Sequence, residues 1–549
     1  MKKGLLLSLL ICTCNLLLVG QSKSEKVDIK WGIEQKVSKK TVLDNIIGSD
    51  ESGIYIIKKN HKGKIPILIE RYDHDMNLSK SVPVTLGEKK KARSYQAVTE
   101  VNGEILLFST ILDKGSKTNL LFVQTLNKKT LKPSSILKKI GEIDYENGSK
   151  RNSGSFRYEV SNNKKKILIY YKLPYEKGGK EKVSYHIYDS KLNLLWEKDL
   201  TLPYKQELFT VFDYEVRENG DLYLLSRIYK DKVREVRNGK PNYEYLIIAY
   251  TDKGNSVTEF PIAIKEHFLR DMQIAVNKNG DIICGGFYSE NQVSISKRAN
   301  AFEQNSISTN SSIKGSYFLK IDGKTKEIIS KSFKEFGLDF ITENLTDRQE
   351  KKVKRKKAKG KRVELYQYAL DNIVLREDGG AILVGEQYYV QITTTTNSQG
   401  QTNTSYHYFY NDIILVKLSP SGEIDWTEKI AKRQHTVNDG GFYSSYSLSV
   451  VNDNLYFVFN DNIKNLFGNT YSGKDKGKIK YFTKKAKESV AVLVEVDGDG
   501  RQVKEALFSA KETDLLIRPK VCEQTSDNEL IIYGQKRKNQ RLGKITFLD

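Results

Sequence analysis

A short turn followed by an apolar run recurs along the entire chain. In Asn102–Phe108 the turn Asn-Gly precedes the run Ile-Leu-Leu-Phe, and Asn219–Leu225 and Asp527–Tyr533 are variants of this order. Eight copies are found, at residues 52–57, 102–108, 163–170, 219–225, 279–286, 378–384, 453–459 and 527–533. Runs this short, bounded by turn residues, indicate β-strands rather than helices. The repetition predicts a fold built from one repeated unit.

Each copy belongs to a larger unit of four strands. A second strand follows the apolar run, a third follows a short turn in seven copies, and another strand precedes each turn. The eighth copy ends at Asp549 before its third strand. Val27–Glu34, near the other end of the chain, resembles the missing strand, of which Leu194–Leu200 is a complete example.

The division of the last unit between the two ends predicts a closed ring. We expect residues 21–549 to form a single all-β domain, a β-propeller of eight four-stranded blades whose last blade is completed by the N-terminal strand. Closure removes the sheet edges that an open stack would expose. Seven blades is the alternative count. A solenoid would not need a unit divided between its ends, so the propeller is preferred.

The first residues have the pattern of an export signal. Met1-Lys2-Lys3 is followed by a largely apolar run up to Val19 and by Gly20. This predicts a signal peptide over residues 1–20 and a mature protein in the periplasm, on the outer membrane or at the cell surface. Lipidation at Cys12 or Cys14 is the alternative use of this segment.

The rest of the chain lacks the features of a membrane span or a disulfide framework. No later run approaches the roughly 20 apolar residues that a transmembrane helix needs. Cys284 and Cys522, the cysteines outside the predicted signal, are in strands of different units and are expected to be free thiols. Stability should therefore come from packing and ring closure.

Long insertions are expected on one face of the propeller. They follow the second strand of a unit or connect two units, and these links open on the same face. Such loops on a rigid scaffold commonly carry function. The insertions are residues 230–244, 296–315, 347–362, 391–411 and 464–488.

Two of these insertions are strongly basic. The chain has a formal net charge of +22, and residues 347–362 contain ten basic residues against two acidic ones. Residues 472–488 contain seven lysines against two acidic residues. A solvated, partly helical segment without a partner is the alternative interpretation. The candidate contacts to an acidic partner are Lys351, Lys354, Arg355, Lys356 and Lys357.

Aromatic and arginine residues supply further binding candidates. Tyrosines in and near residues 391–411 could stack on sugar rings or anchor a protein, with packing at a strand edge as the alternative. Three arginines each precede a turn residue by nine positions, so equal register would bring them near the axis around one anion. Pairing with local carboxylates is the alternative for the arginines. These candidates are Tyr406, Tyr408, Tyr410 and Tyr443, and Arg93, Arg270 and Arg518.

No catalytic or cofactor motif is found. The six histidines show no ligand spacing for zinc, and Gly-x-Ser-x-Gly and P-loop sequences are missing. Asp497-Gly498-Asp499-Gly500 lacks the remaining ligands of a calcium loop and predicts a hairpin turn. We therefore predict no metal, no cofactor and no catalytic residue. Because spacing cannot pair carboxylates across blades, a carbohydrate-active hydrolase or lyase with an axial carboxylate site stays as the alternative.

Several strings resemble known propellers. Gly422, four residues before Trp426, resembles the quinoprotein repeat, and Gly285-Gly286 resembles the kelch repeat. Residues 378–381, 386–389 and 438–441 resemble an uncharacterised family of exported Bacteroidetes-type β-propeller proteins. The resemblance implies the fold and export but no activity.

The combined prediction is a non-enzymatic binding or scaffold protein of the bacterial cell envelope. Its partner would be an envelope protein, an acidic glycan or an anionic lipid surface, because the insertions carry much of the positive charge. Nucleic acid is not expected for an exported protein, and the basic run at residues 347–362 contains no interleaved aromatic residues. The propeller itself is expected to be monomeric.

Overall fold

The computed structural model describes residues 24–38, 41–60, 67–87, 92–146, 149–234, 236–237, 240–262, 267–289, 312–325, 327–361, 363–466 and 479–548. The predicted signal peptide and parts of four insertions lie outside this part of the chain: residues 235, 238–239, 296–311, 362 and 467–478.

Almost all of the regular secondary structure is β. In chain order the strands are β1 (Val27–Trp31), β2 (Gln35–Lys36), β3 (Thr41–Asp50), β4 (Gly53–Asn60), β5 (Ile67–Tyr72), β6 (Leu78–Val84), β7 (Ser94–Val101), β8 (Glu104–Asp113), β9 (Thr118–Thr125), β10 (Lys138–Asp144), β11 (Ser155–Val160), β12 (Lys166–Lys172), β13 (Lys180–Asp189), β14 (Leu194–Lys205), β15 (Phe209–Val216), β16 (Leu222–Tyr229), β17 (Val236–Arg237), β18 (Lys240–Pro241), β19 (Tyr243–Thr251), β20 (Ser256–Ile262), β21 (Phe268–Val276), β22 (Ile282–Ser289), β23 (Ser312–Ile313), β24 (Gly315–Ile321), β25 (Ile328–Glu335), β26 (Leu365–Tyr366), β27 (Tyr368–Leu375), β28 (Ala381–Thr396), β29 (Thr402–Leu418), β30 (Ile424–Ile430), β31 (Gln434–Val437), β32 (Ser447–Val451), β33 (Asn454–Asn462), β34 (Ser489–Val496), β35 (Gln502–Ser509), β36 (Leu516–Ile517), β37 (Glu523–Ser526), β38 (Glu529–Lys536) and β39 (Asn539–Phe547).

Helices are few and short. They are α1 (Leu338–Thr342), α2 (Asp347–Ala358) and α3 (Ala510–Thr513), with 3-10 turns at Lys150–Asn152, Ile463–Asn465 and Pro519–Val521. Among the described residues, no helix has the length and apolar character to cross a membrane.

The strands form antiparallel sheets in which neighbours along the chain pair with one another. Seven sheets hold four such strands each: β3–β6, β7–β10, β11–β14, β15-β16-β19-β20, β21-β22-β24-β25, β27–β30 and β32–β35. First strands contact the first strands of other sheets, as β15 with β21 and β21 with β27. The first strands therefore lie nearest the axis of the ring.

The last sheet is completed from the other end of the chain. It contains β38 and β39, with β36 and β37 on one side and β1 on the other. Val27 pairs with Phe547 and Trp31 with Gly543, while Gln35 pairs with Gln540. The predicted pairing of the N-terminal strand with the last unit is confirmed.

Apolar clusters between neighbouring sheets close the ring. One cluster joins the first sheet to the last, with Ile54 and Ile56 of β4 packed against Ile531 and Tyr533 of β38. Other clusters join each sheet to the next along the chain. The predicted β-propeller is confirmed. Among the described residues, the ring contains six four-stranded sheets, one five-stranded sheet and the six-stranded last sheet, and the blade count of the whole chain stays a prediction.

Tryptophans of outer strands contact the neighbouring sheet. Trp196 Nε1 donates to the Gly220 carbonyl oxygen at 2.9 Å, and Trp426 Nε1 donates to the Gly498 carbonyl oxygen at 3.1 Å. Each acceptor lies in a turn of the next sheet. The glycine that receives Trp426 is therefore not Gly422, whose spacing suggested the quinoprotein resemblance.

Two insertions have more regular structure than the sequence analysis predicted. The Thr/Asn/Gly part of residues 391–411 looks flexible from its sequence, with a hairpin tip as the alternative, and the structure has the hairpin, which continues β28 and β29. β-branched Thr393–Thr396 favours extended backbone, which outweighs the low complexity of this segment. Residues 347–362 contain helix α2, which begins with a capping box between Thr346 and Gln349. Cys284 and Cys522 are unpaired, as predicted.

Candidate functional site

Several insertions meet on one face of the propeller. The link after β25, which holds α1 and α2, contacts the link after β30, because Arg433 Nη2 donates to the Asn344 carbonyl oxygen at 2.8 Å. The link between β33 and β34 joins them, because the Phe482 N–H donates to the Arg433 carbonyl oxygen at 2.8 Å. We name this surface, formed by residues 336–367, 387–412, 431–446 and 479–488, the insertion face.

Helix α2 stands in solvent on the insertion face. None of its 12 residues is buried. Lys354 pairs with Glu350 at 2.7 Å, and Arg355, Lys356 and Lys357 follow in the last turn, where the helix dipole favours positive charge. At about 1.5 Å per residue the helix is roughly 18 Å long. It therefore brings all the predicted basic contacts together as one exposed positive rod.

The predicted tyrosines of β29 differ in their exposure. Tyr406, Tyr408 and Tyr410 alternate along the strand and so share one face of it. Tyr406 is 44% exposed, Tyr408 is half-buried and Tyr410 is buried. The Lys520 ammonium donates to the Tyr410 hydroxyl at 2.5 Å and lies 4.1 Å from its ring centroid. Tyr406 and Tyr408 are thus accessible, whereas Tyr410 supports the base of the hairpin.

Aromatic stacking also fixes the base of this hairpin. The ring of Phe409 lies between those of Tyr389 and His435, with centroids 4.5 Å and 4.3 Å away and nearly parallel planes. A ring nitrogen of His435 is 3.1 Å from one of His407, while the two ring centroids are 5.3 Å apart. The two imidazoles therefore meet edge to edge through a hydrogen bond.

Arg518 and Tyr443 lie close together. The Arg518 guanidinium is 3.9 Å from the Phe442 ring centroid, and Phe442 packs edge-on against Tyr443 at 5.0 Å. The Lys484 ammonium is 5.7 Å from the Tyr443 ring and forms an ion pair with Asp439. Arg518 also donates to a backbone carbonyl at 3.4 Å, and burial lowers its pKa. This guanidinium is therefore held by its aromatic and backbone partners.

The other two arginines occupy separate surroundings. Arg93 donates to Ser109 at 3.0 Å and to Gln124 at 2.8 Å. Arg270 lies beside Asp271, whose pKa is raised by burial and lowered in part by the Arg270 charge. Arg93, Arg270 and Arg518 lie in or beside the first strands of three different sheets. Their convergence on one anion stays a prediction.

A buried ion pair, which sequence spacing did not reveal, lies beneath the insertion face. Lys432 is fully buried, and its ammonium donates to Glu386 Oε1 at 2.5 Å, to the Tyr410 carbonyl at 3.1 Å and to Gln434 at 3.3 Å. Ser445 Oγ donates to the other Glu386 oxygen at 2.8 Å. The network fastens the hairpin strands to the link that leads to β32.

Asp371 borders this network on the axial strand β27. The Tyr446 hydroxyl donates to its carboxylate at 2.7 Å. Water reaches Asp371 along the axis, yet surrounding protein atoms desolvate it, and with the charge of Glu386 this raises its pKa to about 7. Burial lowers the pKa of Lys520, and the charges of Glu386 and Asp371 oppose this shift in part. Ionisable groups of opposite sign therefore meet near the axis.

Asp371→Asn is expected to stabilise the protein at alkaline pH. The folded-state pKa is raised, so the folded protein loses stability as pH rises from about 4 to about 7. Asparagine does not ionise, so it removes this loss of stability, and its side-chain oxygen still accepts a hydrogen bond from the Tyr446 hydroxyl. In urea unfolding, the free energy of unfolding should rise by about 1–2 kcal/mol at alkaline pH and change little at acid pH. The gain is smaller than the full pKa shift would give, because solvent screens the charge. Asn at exposed Asp28 is the control, and equal pH profiles for Asp371→Asn and the parent would contradict the expectation.

Further carboxyls line the axis on β11 and β15. Burial and the charge of Asp213 raise the pKa of Glu159, and they raise that of Glu215 to about 7. A cleft of about 440 Å³ opens beside Glu159, between β7 and β11, and contains Arg157 and Tyr158. A carboxyl that keeps its proton near neutral pH has the property that a general acid needs.

Comparisons with known proteins give remote similarities. No protein-family model and no curated protein matches the chain. The WD40 domain of SCAP from fission yeast is 8% identical over 95% of this chain and 98% of its own, with a TM-score of 0.38. Polysaccharide lyase Uly1 is 9% identical over 95% of this chain and 100% of its own, with a TM-score of 0.37.

A protein of unknown function from Bacteroides caccae is also similar. It is 10% identical over 72% of this chain and 94% of its own, with a TM-score of 0.25. At these identities and TM-scores the similarities carry no argument about what the chain does.

Proposed function

We propose that the protein is a non-enzymatic binding protein of the bacterial cell envelope that holds an acidic partner on its insertion face. The partner is an envelope protein, an acidic glycan or an anionic lipid surface. The observation that carries the proposal is helix α2, a basic helix without a single buried residue. Only Glu350 and Val353 of this helix are half-buried, so the propeller gains little packing from it, whereas an anionic surface would gain several close positive charges.

The geometry of α2 favours an extended acidic surface over a small anion. Its basic side chains surround the helix and do not converge on one point. Each Lys or Arg near an anionic surface contributes about 1 kcal/mol, and the contribution decreases as salt screens it. The exposed Tyr406 and the nearby Lys484 extend the same face.

The test removes the charge of α2 and keeps its helix. Glutamine replaces Lys351, Lys354, Arg355, Lys356 and Lys357 in one variant, since glutamine is as good a helix former as lysine. Sedimentation with vesicles of anionic lipid and retention on an acidic polysaccharide should both fall at least tenfold at low salt. Thermal unfolding should not change, because the replaced side chains are exposed.

The matched control removes equal charge elsewhere. It replaces five exposed lysines of other sheets with glutamine: Lys114, Lys129, Lys165, Lys177 and Lys191. The control should keep most of the binding. Equal loss in the two variants would mean that net charge alone governs binding, and unchanged binding in the α2 variant would contradict the proposal.

A carbohydrate-active enzyme is the second candidate. The axial carboxyls favour it, because the pKa of Glu215 is raised to about 7 beside ionisable Glu159 and Asp213. A general acid and a second carboxylate are the groups that glycoside hydrolysis commonly uses. Release of reducing ends from a panel of acidic and neutral polysaccharides, lost in Glu215→Gln, would support this candidate over binding alone.

A further inference from the structure

The hairpin of β28 and β29 extends well beyond its own sheet. β27 pairs with β28 only as far as Gln387, and β31 pairs with β29 only from His407 to Tyr410. We name residues 388–410 the arm. From Tyr388 to Thr396 the strand has nine residues, which at about 3.3 Å each makes a ribbon of roughly 30 Å.

The arm carries no formal charge other than that of a histidine. Residues 387–410 contain no Asp, Glu, Lys or Arg, although charged residues make up 29% of the chain. They also contain no proline. Edge strands are usually protected from pairing with other chains by charges, prolines or bulges. The arm lacks the first two protections over its whole length.

One edge of the arm has open backbone groups. The Tyr388 N–H donates to the Gln367 carbonyl oxygen, away from β29, at 2.8 Å. Alternate residues of a strand direct their backbone groups to the same side. The N–H and C=O groups of Val390, Ile392 and Thr394 therefore also point away from β29. Beyond Gln387, no strand of the described residues pairs with this edge.

The opposite edge of the arm, that of β29, is partly covered beside Ile392. The Asn438 N–H donates to the Tyr406 carbonyl oxygen at 2.9 Å, and Asn438 Oδ1 accepts from the Tyr406 N–H at 2.8 Å. The backbone groups of Tyr406 therefore point away from β28. Because Tyr406 pairs with Ile392 across the ribbon, those of Ile392 point away from β29, in agreement with the alternation. The open edge of the arm is thus that of β28.

Apolar side chains lie beside the open edge. Ile392 is 60% exposed and Tyr406, its partner across the ribbon, is 44% exposed. Val390 and half-buried Tyr408 form the next pair on the same face. A strand added at this edge would therefore cover apolar surface as well as backbone groups.

We propose that the β28 edge of the arm pairs antiparallel with the same edge in a second copy of this chain. The resulting sheet has four strands, two from each copy. A two-stranded ribbon is marginal by itself in water, whereas three or more strands with an apolar face are stable. The expected monomeric propeller is thereby replaced by a two-fold dimer joined through the arms.

Charge favours a second copy over a foreign strand. The chain has a net charge of +22, so two copies repel one another through most of their surface. The uncharged arm avoids this repulsion, and its reach of about 30 Å exceeds the Debye length of about 8 Å at physiological salt. An acidic partner would instead be drawn to the basic helix α2. The arm is complementary to an uncharged, β-branched strand such as its own.

The test places charges on the open edge of the full chain. Ile392→Lys and Ile392→Glu are compared with the parent by sedimentation velocity over a wide range of protein concentration. The parent should dimerise, and each variant should be monomeric, with the dissociation constant raised at least tenfold by like charges near the two-fold axis. A mixture of the two variants should dimerise again. A monomeric parent, or a mixture that stays monomeric, would overturn the proposal.

A backbone variant gives a second readout. Thr394→Pro removes an N–H that points to the open edge and the 3.5 Å contact between the Thr394 and Thr404 hydroxyls, but no backbone hydrogen bond of the ribbon. The arm should therefore fold and dimerisation should fail. The α2 glutamine variant separates this proposal from the proposed function, because it should lose acidic binding and keep the dimer. Dimers that survive Thr394→Pro and both Ile392 variants would show that another surface joins the copies.

Discussion

A chain that lacks residues 24–38 is expected to unfold at much lower urea concentration than the parent. These residues supply β1, which pairs with β39 from Val27 to Trp31. Val27 is buried in the cluster between the last two sheets, and Trp31 packs edge-on against Phe508 at 5.1 Å. Loss of this strand removes their burial and opens a sheet edge. We expect a cost of about 5 kcal/mol or more.

Complementation provides the control for this truncation. A synthetic peptide with the sequence of residues 24–38 should restore part of the unfolding midpoint when added to the truncated protein, in proportion to its concentration. A peptide with aspartate in place of Val27 should not, since that side chain is 2% exposed in the ring. A truncated protein that unfolds like the parent would mean that β1 does not contribute to closing the ring.

Local patterns were sufficient to predict the sheets. The turn and apolar run at residues 102–108 corresponds to the end of β7 and the start of β8, and the other copies behave in the same way. Val27–Glu34 could be assigned to the last sheet because its pattern matched a strand that the eighth unit lacked. Both predictions were made from patterns of residues that are neighbours in sequence, and such patterns indicate directly where strands and turns form.

The insertions were predicted less well, although one signal was present. Thr346 and Gln349 have the spacing of a capping box, which would have predicted the start of α2. The Thr/Asn/Gly part of residues 391–411 left flexibility and a hairpin tip as alternatives, whereas the β-branched Thr393–Thr396 favours the extended strands that the structure has. For both segments, the conformational preferences of individual residues predicted the structure better than the overall composition did.

Contacts between individual side chains far apart in sequence could not be predicted, unlike the pairing of β1 with the last sheet. Glu386 and Lys432 are separated by 46 positions and come together only because β28 and the link after β30 lie side by side. The raised pKa of Asp371 likewise depends on Glu386 and on protein packed around the axis. Sequence spacing does not predict which of these side chains meet, because that depends on how the strands and links are aligned in the fold. The binding role of the predicted site residues stays a prediction, and the buried ion pair of Glu386 and Lys432 was not predicted.

Lys432→Met is expected to destabilise the protein by about 3–5 kcal/mol, since it leaves a buried carboxylate without its cation. Lys432 is fully buried, and its loss leaves Glu386 with the hydrogen bond that the Ser445 hydroxyl donates. Urea unfolding at neutral pH measures this loss.

A double variant distinguishes the charge from the shape of the side chain. Glu386→Leu combined with Lys432→Met removes both charges and should recover most of the stability, because apolar residues commonly replace a buried ion pair at little cost. Lys182→Met is the control for an exposed pair, since Lys182 and Glu176 are 51% and 64% exposed, and it should change stability by less than about 0.5 kcal/mol. If the double variant were as unstable as Lys432→Met alone, the network would contribute through packing and its backbone contacts. If it recovered, the dimerisation assay of the same variant would show whether this ion pair is needed to hold the arm in place.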